Sequence, residues 1–206
     1  MARCLRKAGV ARLLRPCTSL PSASQMIRTH ATFSIHPGRV ARVLGATVCL
    51  LALASLGVQF VMRETSLAIP GLVKLDMDWE ASVPTFFSAL LLLASGALAA
   101  LVAWSEEDVA TAYRRHWKVL AWIFVFLSTD EIASFHEGLI DPVRAALGTG
   151  GVFYYAWVIP AAAAVLVFAA VFASFWWQLP APVRGLVALA GVVYVGGALG
   201  VEMLGG

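Results

Sequence analysis

Charged side chains are scarce in this sequence of 206 residues. Only 13% of the residues are charged, about half the usual share in globular proteins, while 60% are apolar and the mean hydropathy is +0.82. A disordered chain is excluded because such chains are poor in apolar residues. The composition also argues against a soluble domain and favours a protein with several membrane spans.

Cysteines and enzyme motifs are also few. The three cysteines, Cys4, Cys17 and Cys49, form no C-x-x-C pair, so neither a disulfide framework nor a zinc knuckle is indicated. The chain contains no G-x-S-x-G elbow, phosphate-binding P-loop, H-E-x-x-H pair or G-x-G-x-x-G turn. The sequence therefore supports none of the enzyme classes that these motifs mark.

Acidic residues are absent from the N-terminal region, which is strongly basic. Eight of the fifteen Lys and Arg residues lie in the first 42 positions, and the first acidic residue is Glu64. Because the positive excess is confined to this region, we expect no nucleic-acid partner. Residues 1–38 are predicted to be a disordered, basic tail on the inner side of a membrane. A mitochondrial-type transit peptide and a true start at Met26 are the alternatives.

Five apolar segments follow the tail. Each has about 20 residues, the length that an α-helix needs to cross about 30 Å of hydrocarbon. They cover approximately residues 40–62, 83–104, 119–140, 153–177 and 185–206. We therefore predict an all-α, polytopic transmembrane helix bundle over residues 39–206, surrounded by the lipid bilayer. No polar stretch follows the last segment, so we expect a very short outer end or a C-terminal truncation.

The distribution of charge predicts an orientation. With the N-terminus inside, twelve Lys and Arg residues lie on the inner side and three on the outer side, as the positive-inside rule requires. On this topology nine of the twelve acidic residues fall at or near the outer side. The nine are Glu64, Asp76, Asp78, Glu80, Asp130, Glu131, Glu137, Asp141 and Glu202. Acidic residues contribute little to topology, so their sorting indicates a site.

Four ionisable residues lie at the end of the third segment. They are Asp130, Glu131, His136 and Glu137. Each ionisable side chain at membrane depth costs about 2.5–3.5 kcal/mol, so the group is expected to face protein, water or a cation. In a continuous helix Asp130 and Glu137 share a face. The alternative is a purely structural role, in which these side chains form hydrogen bonds within a water-filled vestibule. His116, in the inner loop, is expected to be an ordinary surface residue.

Two further carboxylates could complete a metal shell. Glu80 precedes the second segment, and Glu202 lies in the last segment beside several glycines. Carboxylates together with one imidazole suit iron, manganese or zinc. We therefore predict a divalent transition metal near the outer face, with Glu131 either as a general base or as a group that holds the metal ligands in place. The candidate ligands are Asp130, His136, Glu137, Glu80 and Glu202.

Three stretches carry a resemblance to a known family. Residues 80–88 read E-A-S-V-P-T-F-F-S, residues 127–137 read L-S-T-D-E-I-A-S-F-H-E, and residues 197–202 read G-A-L-G-V-E. The region from about Gly45 to Gly206 resembles an uncharacterised family of bacterial multi-pass membrane proteins with an S-x-D-E-x-x-x-x-H-E motif and no established activity. The resemblance implies a bacterial inner membrane, a further acidic span beyond the last segment, and the same six ionisable residues as the positions to test.

The sequence is compatible with three classes of function. The first is a metal-dependent membrane enzyme, which bound metal lost on mutation would support. The second is a proton- or cation-translocating transporter subunit, although acids crowded at one end argue for a site rather than a conduit. The third is a non-catalytic subunit, either of a homo-oligomer or of a larger membrane complex, which co-purification of a fixed partner would support.

Overall fold

The described part of the chain is mostly helical. The computed structural model describes residues 36–65, 70–79, 81–105, 112–200 and 202–203, and no strand occurs among them. The helices there are α1 (Pro37–Thr65), α2 (Pro70–Val73), α3 (Val83–Trp104), α4 (Arg114–Ala133), α5 (Ile140–Leu147), α6 (Val158–Gln178) and α7 (Ala181–Val195). Short 3-10 turns lie at Glu137–Leu139 and Gly151–Phe153, and a π-helix lies at Gly196–Gly200. The predicted all-α class is confirmed for these residues.

The chain divides into two compact units, residues 1–44 and 45–206. In the first unit the described residues are the start of α1, where Arg42 Nε donates a hydrogen bond to the carbonyl oxygen of Gly38 at 3.2 Å. Most of the predicted tail lies outside the described residues, and so does Glu80. The disordered tail therefore stays a prediction.

Within the described residues, four helical segments are long and apolar enough to cross a membrane. They are α1, α3, α6 and the segment Ala181–Gly200, which comprises α7 and the π-helix. Helix α4 and the helix over 137–147 pass the same test only as a bent pair, which gives up to five spans. Large apolar side chains are exposed along these helices, including Leu101 at 64%, Leu166 at 71% and Val192 at 71%. Such surfaces suit a lipid environment, so the chain has the architecture of a polytopic integral membrane protein.

Helices α3 and α4 pack closely because small residues line their contact. Gly96 leaves so little space that an added Cβ would lie 3.1 Å from the carbonyl oxygen of Ala121 and 3.3 Å from Cβ of Phe124. Nearer the start of α3, the buried Ser128 hydroxyl donates a hydrogen bond to the carbonyl oxygen of Ala89 at 2.8 Å. Gly96 lies against Ala121, whereas the earlier residue Ala89 lies against the later residue Ser128, so the two helices are antiparallel. Small residues and hydroxyl groups commonly stabilise such contacts in membranes.

Aromatic rings join the start of α4 to the end of α6. Phe172 and Phe175 are buried, and the ring of Phe175 meets Trp117 edge-on with centroids 5.0 Å apart. The ring of His116 stacks on Phe175 with centroids 5.4 Å apart and an interplanar angle of 4°. The expectation that His116 is an ordinary surface residue is therefore wrong, because α6 covers one face of its ring.

The start of α3 is fixed by its sequence. Ser82 has an extended backbone, and its hydroxyl accepts a hydrogen bond from the backbone N–H of Thr85 at 3.3 Å. Pro84 follows within the first turn, where a missing backbone N–H breaks no helical hydrogen bond. Because α3 and α4 are antiparallel, this capped start lies at the same end as the last turn of α4.

Candidate functional site

The third apolar segment is not one continuous helix. Helix α4 ends at Ala133, and Ser134 adopts left-handed backbone angles, φ 51° and ψ 39°. The helix over 137–147 is bent by 78° relative to α4. The expected helix face shared by Asp130 and Glu137 is therefore wrong, because the chain turns between them. Positive φ is uncommon outside glycine, and such positions cluster at functional sites.

The carboxylate of Asp130 holds this turn together. Its Oδ1 accepts a hydrogen bond from the backbone N–H of His136 at 3.0 Å, and its Oδ2 lies 2.9 Å from Nδ1 of the same imidazole. The pair is largely buried, since 17% of the Asp130 side chain and 27% of the His136 side chain are exposed. A carboxylate only accepts hydrogen bonds, so this geometry places a hydrogen on Nδ1 and a lone pair on Nε2 of the neutral ring.

A tryptophan fixes the other side of the imidazole. The ring of Trp157, which immediately precedes α6, lies with its centroid 4.5 Å from that of His136 and is tilted by 55°. His136 is thus held between a carboxylate of α4 and an aromatic ring at the start of α6. Two fixed neighbours leave the imidazole little rotational freedom, as a site for proton transfer or metal binding requires.

Helix α7 brings a phenol towards the same acids. Tyr194 is 40% exposed, and its hydroxyl lies within electrostatic range of both Glu131 and Asp130. Glu131 itself is half-buried at the end of α4. Sequence reasoning missed Tyr194, because one tyrosine in an apolar segment resembles an ordinary membrane-facing aromatic residue. The proximity of Tyr194 adds a hydroxyl group to the predicted set of acids.

Glu202 follows the π-helix and approaches the imidazole. Its side chain is half-buried, and its carboxyl lies within electrostatic range of His136. The five-residue π-helix at Gly196–Gly200 widens the turn just before Glu202. Such π segments are rare and appear frequently at functional sites. The last apolar segment therefore contributes Glu202 to the site of His136.

The structure brings some of the predicted site residues together and separates others. Asp130 and His136 are in direct contact, Glu131 lies beside Asp130, and Glu202 is near His136. Glu137 is exposed at the start of a 3-10 turn. Among the residues that the structure describes, no three His, Cys, Asp or Glu side chains are grouped so that they could hold a metal ion. The metal centre, including the part assigned to Glu80, stays a prediction.

A second polar network surrounds Asp76, in the connector before α3. Its Oδ1 accepts hydrogen bonds from Gln59 Nε2 at 2.9 Å, Ser55 Oγ at 3.3 Å and the backbone N–H of Asp78 at 3.1 Å. The Ser55 hydroxyl also accepts the backbone N–H of Met77 at 2.9 Å. Desolvation raises the pKa of Asp76, but these hydrogen bonds outweigh it and hold the pKa below its ordinary value of 3.8. The network ties the connector to α1.

Comparison with known proteins identifies a family without an assigned function. No curated protein and no solved structure matches the chain. One family model, described as a domain of unknown function (DUF8692), matches residues 39–206, which include the Asp130–His136 pair and all but the first two residues of the described helices. The match agrees with the resemblance to an uncharacterised family. Because the match covers most of the sequence, the chain belongs to the DUF8692 family.

Proposed function

We propose that the Asp130–His136 pair is a proton-binding site and that the protein is a proton-translocating membrane subunit. The observation that carries the proposal is the double contact between the two residues within a broken helical span. Asp130 orients the ring, while Nε2 takes up and releases the proton. Histidine suits this role because its charge changes near physiological pH.

The broken span supports proton translocation rather than a purely structural pair. Transporters commonly place their ion sites where membrane helices are interrupted, because the interruption exposes backbone groups and opens a polar cavity. Here the interruption coincides with the largely buried Asp130–His136 pair. Glu202, near the ring, and Tyr194, near Asp130, supply further groups that can exchange protons. The acids at one end of the helices would then form a proton entry site, with other copies of the chain completing a path.

The donor set favours a proton over a metal at this position. Both oxygens of Asp130 already receive hydrogen bonds from His136, so Asp130 orients the imidazole rather than serving as a ligand. The remaining candidate near the ring is the carboxylate of Glu202. A metal held by His136 Nε2 and Glu202 would need further ligands, for which Glu137 and Glu80 are the sequence candidates. A metal-dependent membrane enzyme is therefore the second candidate function.

Proton flux into liposomes tests the proposal directly. The protein is reconstituted with an entrapped pH-sensitive dye, and a potassium gradient with valinomycin drives proton entry. Groups that transfer protons commonly contribute about 10²–10⁴-fold, so His136→Gln should reduce the flux on the order of 100-fold. His36→Gln is the matched control, since His36 is exposed at the start of α1 and should leave the flux unchanged.

Two results would overturn the proposal. The first is a wild-type flux no higher than that of protein-free liposomes, with the protein shown to be folded. The second is a stoichiometric transition metal, detected by elemental mass spectrometry of the purified protein, that disappears in His136→Gln and in Glu202→Gln. The second result would instead establish a metal site that includes His136 and Glu202.

A further inference from the structure

A cavity of about 470 Å³ lies at the end of the helices away from Asp130. It is lined by Ala112, Arg114, Arg115, His116 and Lys118. Arg114 and Asp130 are sixteen positions apart in α4, which places the two sites about 24 Å apart along the helix. The cavity is therefore independent of the proposed proton site.

The lining of this cavity is suited to an anion. Three of its side chains are cationic, and none of the five lining residues that the structure describes is acidic. The guanidinium groups of Arg114 and Arg115 match a phosphate in shape as well as charge, because each can donate two parallel hydrogen bonds to it. Glu106, Glu107 and Asp108 precede this region in the sequence and lie outside the described residues.

The backbone and the histidine of this cavity also offer hydrogen-bonding groups. Helix α4 begins here, and Tyr113 at its N-cap makes no side-chain capping hydrogen bond. The first N–H groups of a helix attract anions. Within the described part of the chain, Nδ1 of His116 is buried and has no hydrogen-bond partner. These helix N–H groups add to the attraction that the three cations exert on a phosphate.

Aromatic residues place the cavity near the lipid headgroups. Trp104, at the end of α3, is 71% exposed, and Trp177, near the end of α6, is 62% exposed. The guanidinium of Arg184 lies over the ring of Trp177, 4.9 Å from its centroid. Exposed tryptophans at helix ends mark the membrane interface, where the phosphates of phospholipids lie. We propose that this cavity binds the phosphate headgroup of an anionic phospholipid.

Lipid titration of the delipidated protein in detergent tests the proposal. Native mass spectrometry counts bound phosphatidylglycerol against phosphatidylcholine, which carries no net charge. Each cation near anionic lipid contributes about fivefold in affinity, so R114Q/R115Q/K118Q should weaken phosphatidylglycerol binding by about 100-fold. The control R39Q/R42Q/R63Q removes three positive charges outside the cavity and should leave binding within about twofold. Equal losses in the two triple variants would overturn the proposal, because they would indicate diffuse attraction.

Two further variants separate a shaped site from charge alone. R114K/R115K preserves the charge, and with it the signal for membrane orientation, but removes the guanidinium forks. It should weaken binding by about fivefold, and unchanged binding would overturn the phosphate assignment. Arg115→Gln serves if the triple variant does not fold, since Arg115 is exposed and its replacement should not disturb packing. Wild-type affinity of Arg115→Gln for phosphatidylglycerol would overturn the proposal that this cavity binds the headgroup.

A competition experiment distinguishes a lipid from a soluble phosphate. Inorganic phosphate and glycerol 3-phosphate are added to the complex with phosphatidylglycerol. A headgroup site at the interface should keep its lipid at millimolar concentrations of either competitor, because the acyl chains add affinity. Displacement of the lipid by equimolar inorganic phosphate would overturn the lipid assignment and indicate a site for a soluble phosphate compound.

Discussion

Asp130 and His136 are joined twice across the break in the third apolar segment. One oxygen of the carboxylate accepts the backbone N–H of His136 at 3.0 Å, and the other lies 2.9 Å from Nδ1 of its ring. The first contact stabilises the turn that follows α4, and the second orients the imidazole. One side chain thus determines both the local backbone and the chemistry of the site.

Asparagine at position 130 should preserve the turn and reverse the tautomer of the ring. Its amide oxygen can still accept the N–H of His136, but its amide nitrogen would then face Nδ1. Nδ1 must accept that hydrogen bond, so the ring hydrogen moves to Nε2. Asp130→Ala removes both contacts and should lower the free energy of unfolding by about 1.5–3 kcal/mol. Nitrogen NMR of labelled histidine at alkaline pH reports the tautomer, and reversible unfolding in detergent reports the stability.

Asp141→Asn is the matched control for both measurements. Its carboxylate is 93% exposed and lies 3.6 Å from Arg144, so its neutralisation should change stability by less than about 0.5 kcal/mol. A wild-type tautomer in Asp130→Asn would refute the assigned role of Oδ2. An Asp130→Ala variant as stable as Asp141→Asn would refute the role of the carboxylate in the turn.

The hydroxyl of Ser128 should stabilise the contact between α3 and α4. It is 7% exposed and donates to the carbonyl oxygen of Ala89, 39 residues earlier in the chain. Hydrogen bonds between membrane helices contribute about 0.6 kcal/mol on average, so Ser128→Ala should cost about 0.6–1.7 kcal/mol in unfolding experiments. Ser95→Ala is the control, because that hydroxyl bonds the carbonyl oxygen of Leu91 within its own helix. Equal effects of the two substitutions would contradict a role for Ser128 between helices.

The apolar helices could be predicted from the sequence because their signal is local. Twenty consecutive apolar residues specify a membrane helix without reference to any partner. The start of the second apolar segment was predicted at about residue 83, which is where α3 begins. The same local pattern indicated Asp130 and His136 as site residues, because ionisable groups in an apolar segment need a partner.

The arrangement of the site could not be predicted, because contacts between distant or bent segments create it. Ser134 breaks the helix although the sequence there contains neither glycine nor proline, the usual signals of a break. The carboxylate of Asp130 competes for the N–H of His136 and stabilises the turn instead. The proximity of Trp157 and Tyr194 depends on how α6 and α7 pack, which no local pattern encodes.

Gly96 should resist substitution because α4 lies directly against it. A Cβ there would approach the carbonyl oxygen of Ala121 at 3.1 Å, and this backbone atom moves only if the helices separate. Gly96→Val should therefore destabilise the fold by about 1–3 kcal/mol. Gly57→Ala is the control, since nothing lies within 4 Å of the position that its methyl group would occupy, and it should stabilise α1 by up to about 1 kcal/mol. A Gly96→Val protein with wild-type stability would show that the two helices are not in close contact.

Acid should release the connector before α3 from α1 through protonation of Asp76. The pKa of Asp76 in the folded protein is below 3.8, so its hydrogen bonds stabilise the contact above that pH and are lost as the pH falls through the lower value. Hydrogen-exchange protection of the backbone N–H of Met77 and Asp78 should therefore be constant from neutral pH to about pH 4 and decline below it. Asp76→Asn should remove this decline, because the amide does not titrate in this range. The same acid-dependent loss in Asp76→Asn would assign the release to another group.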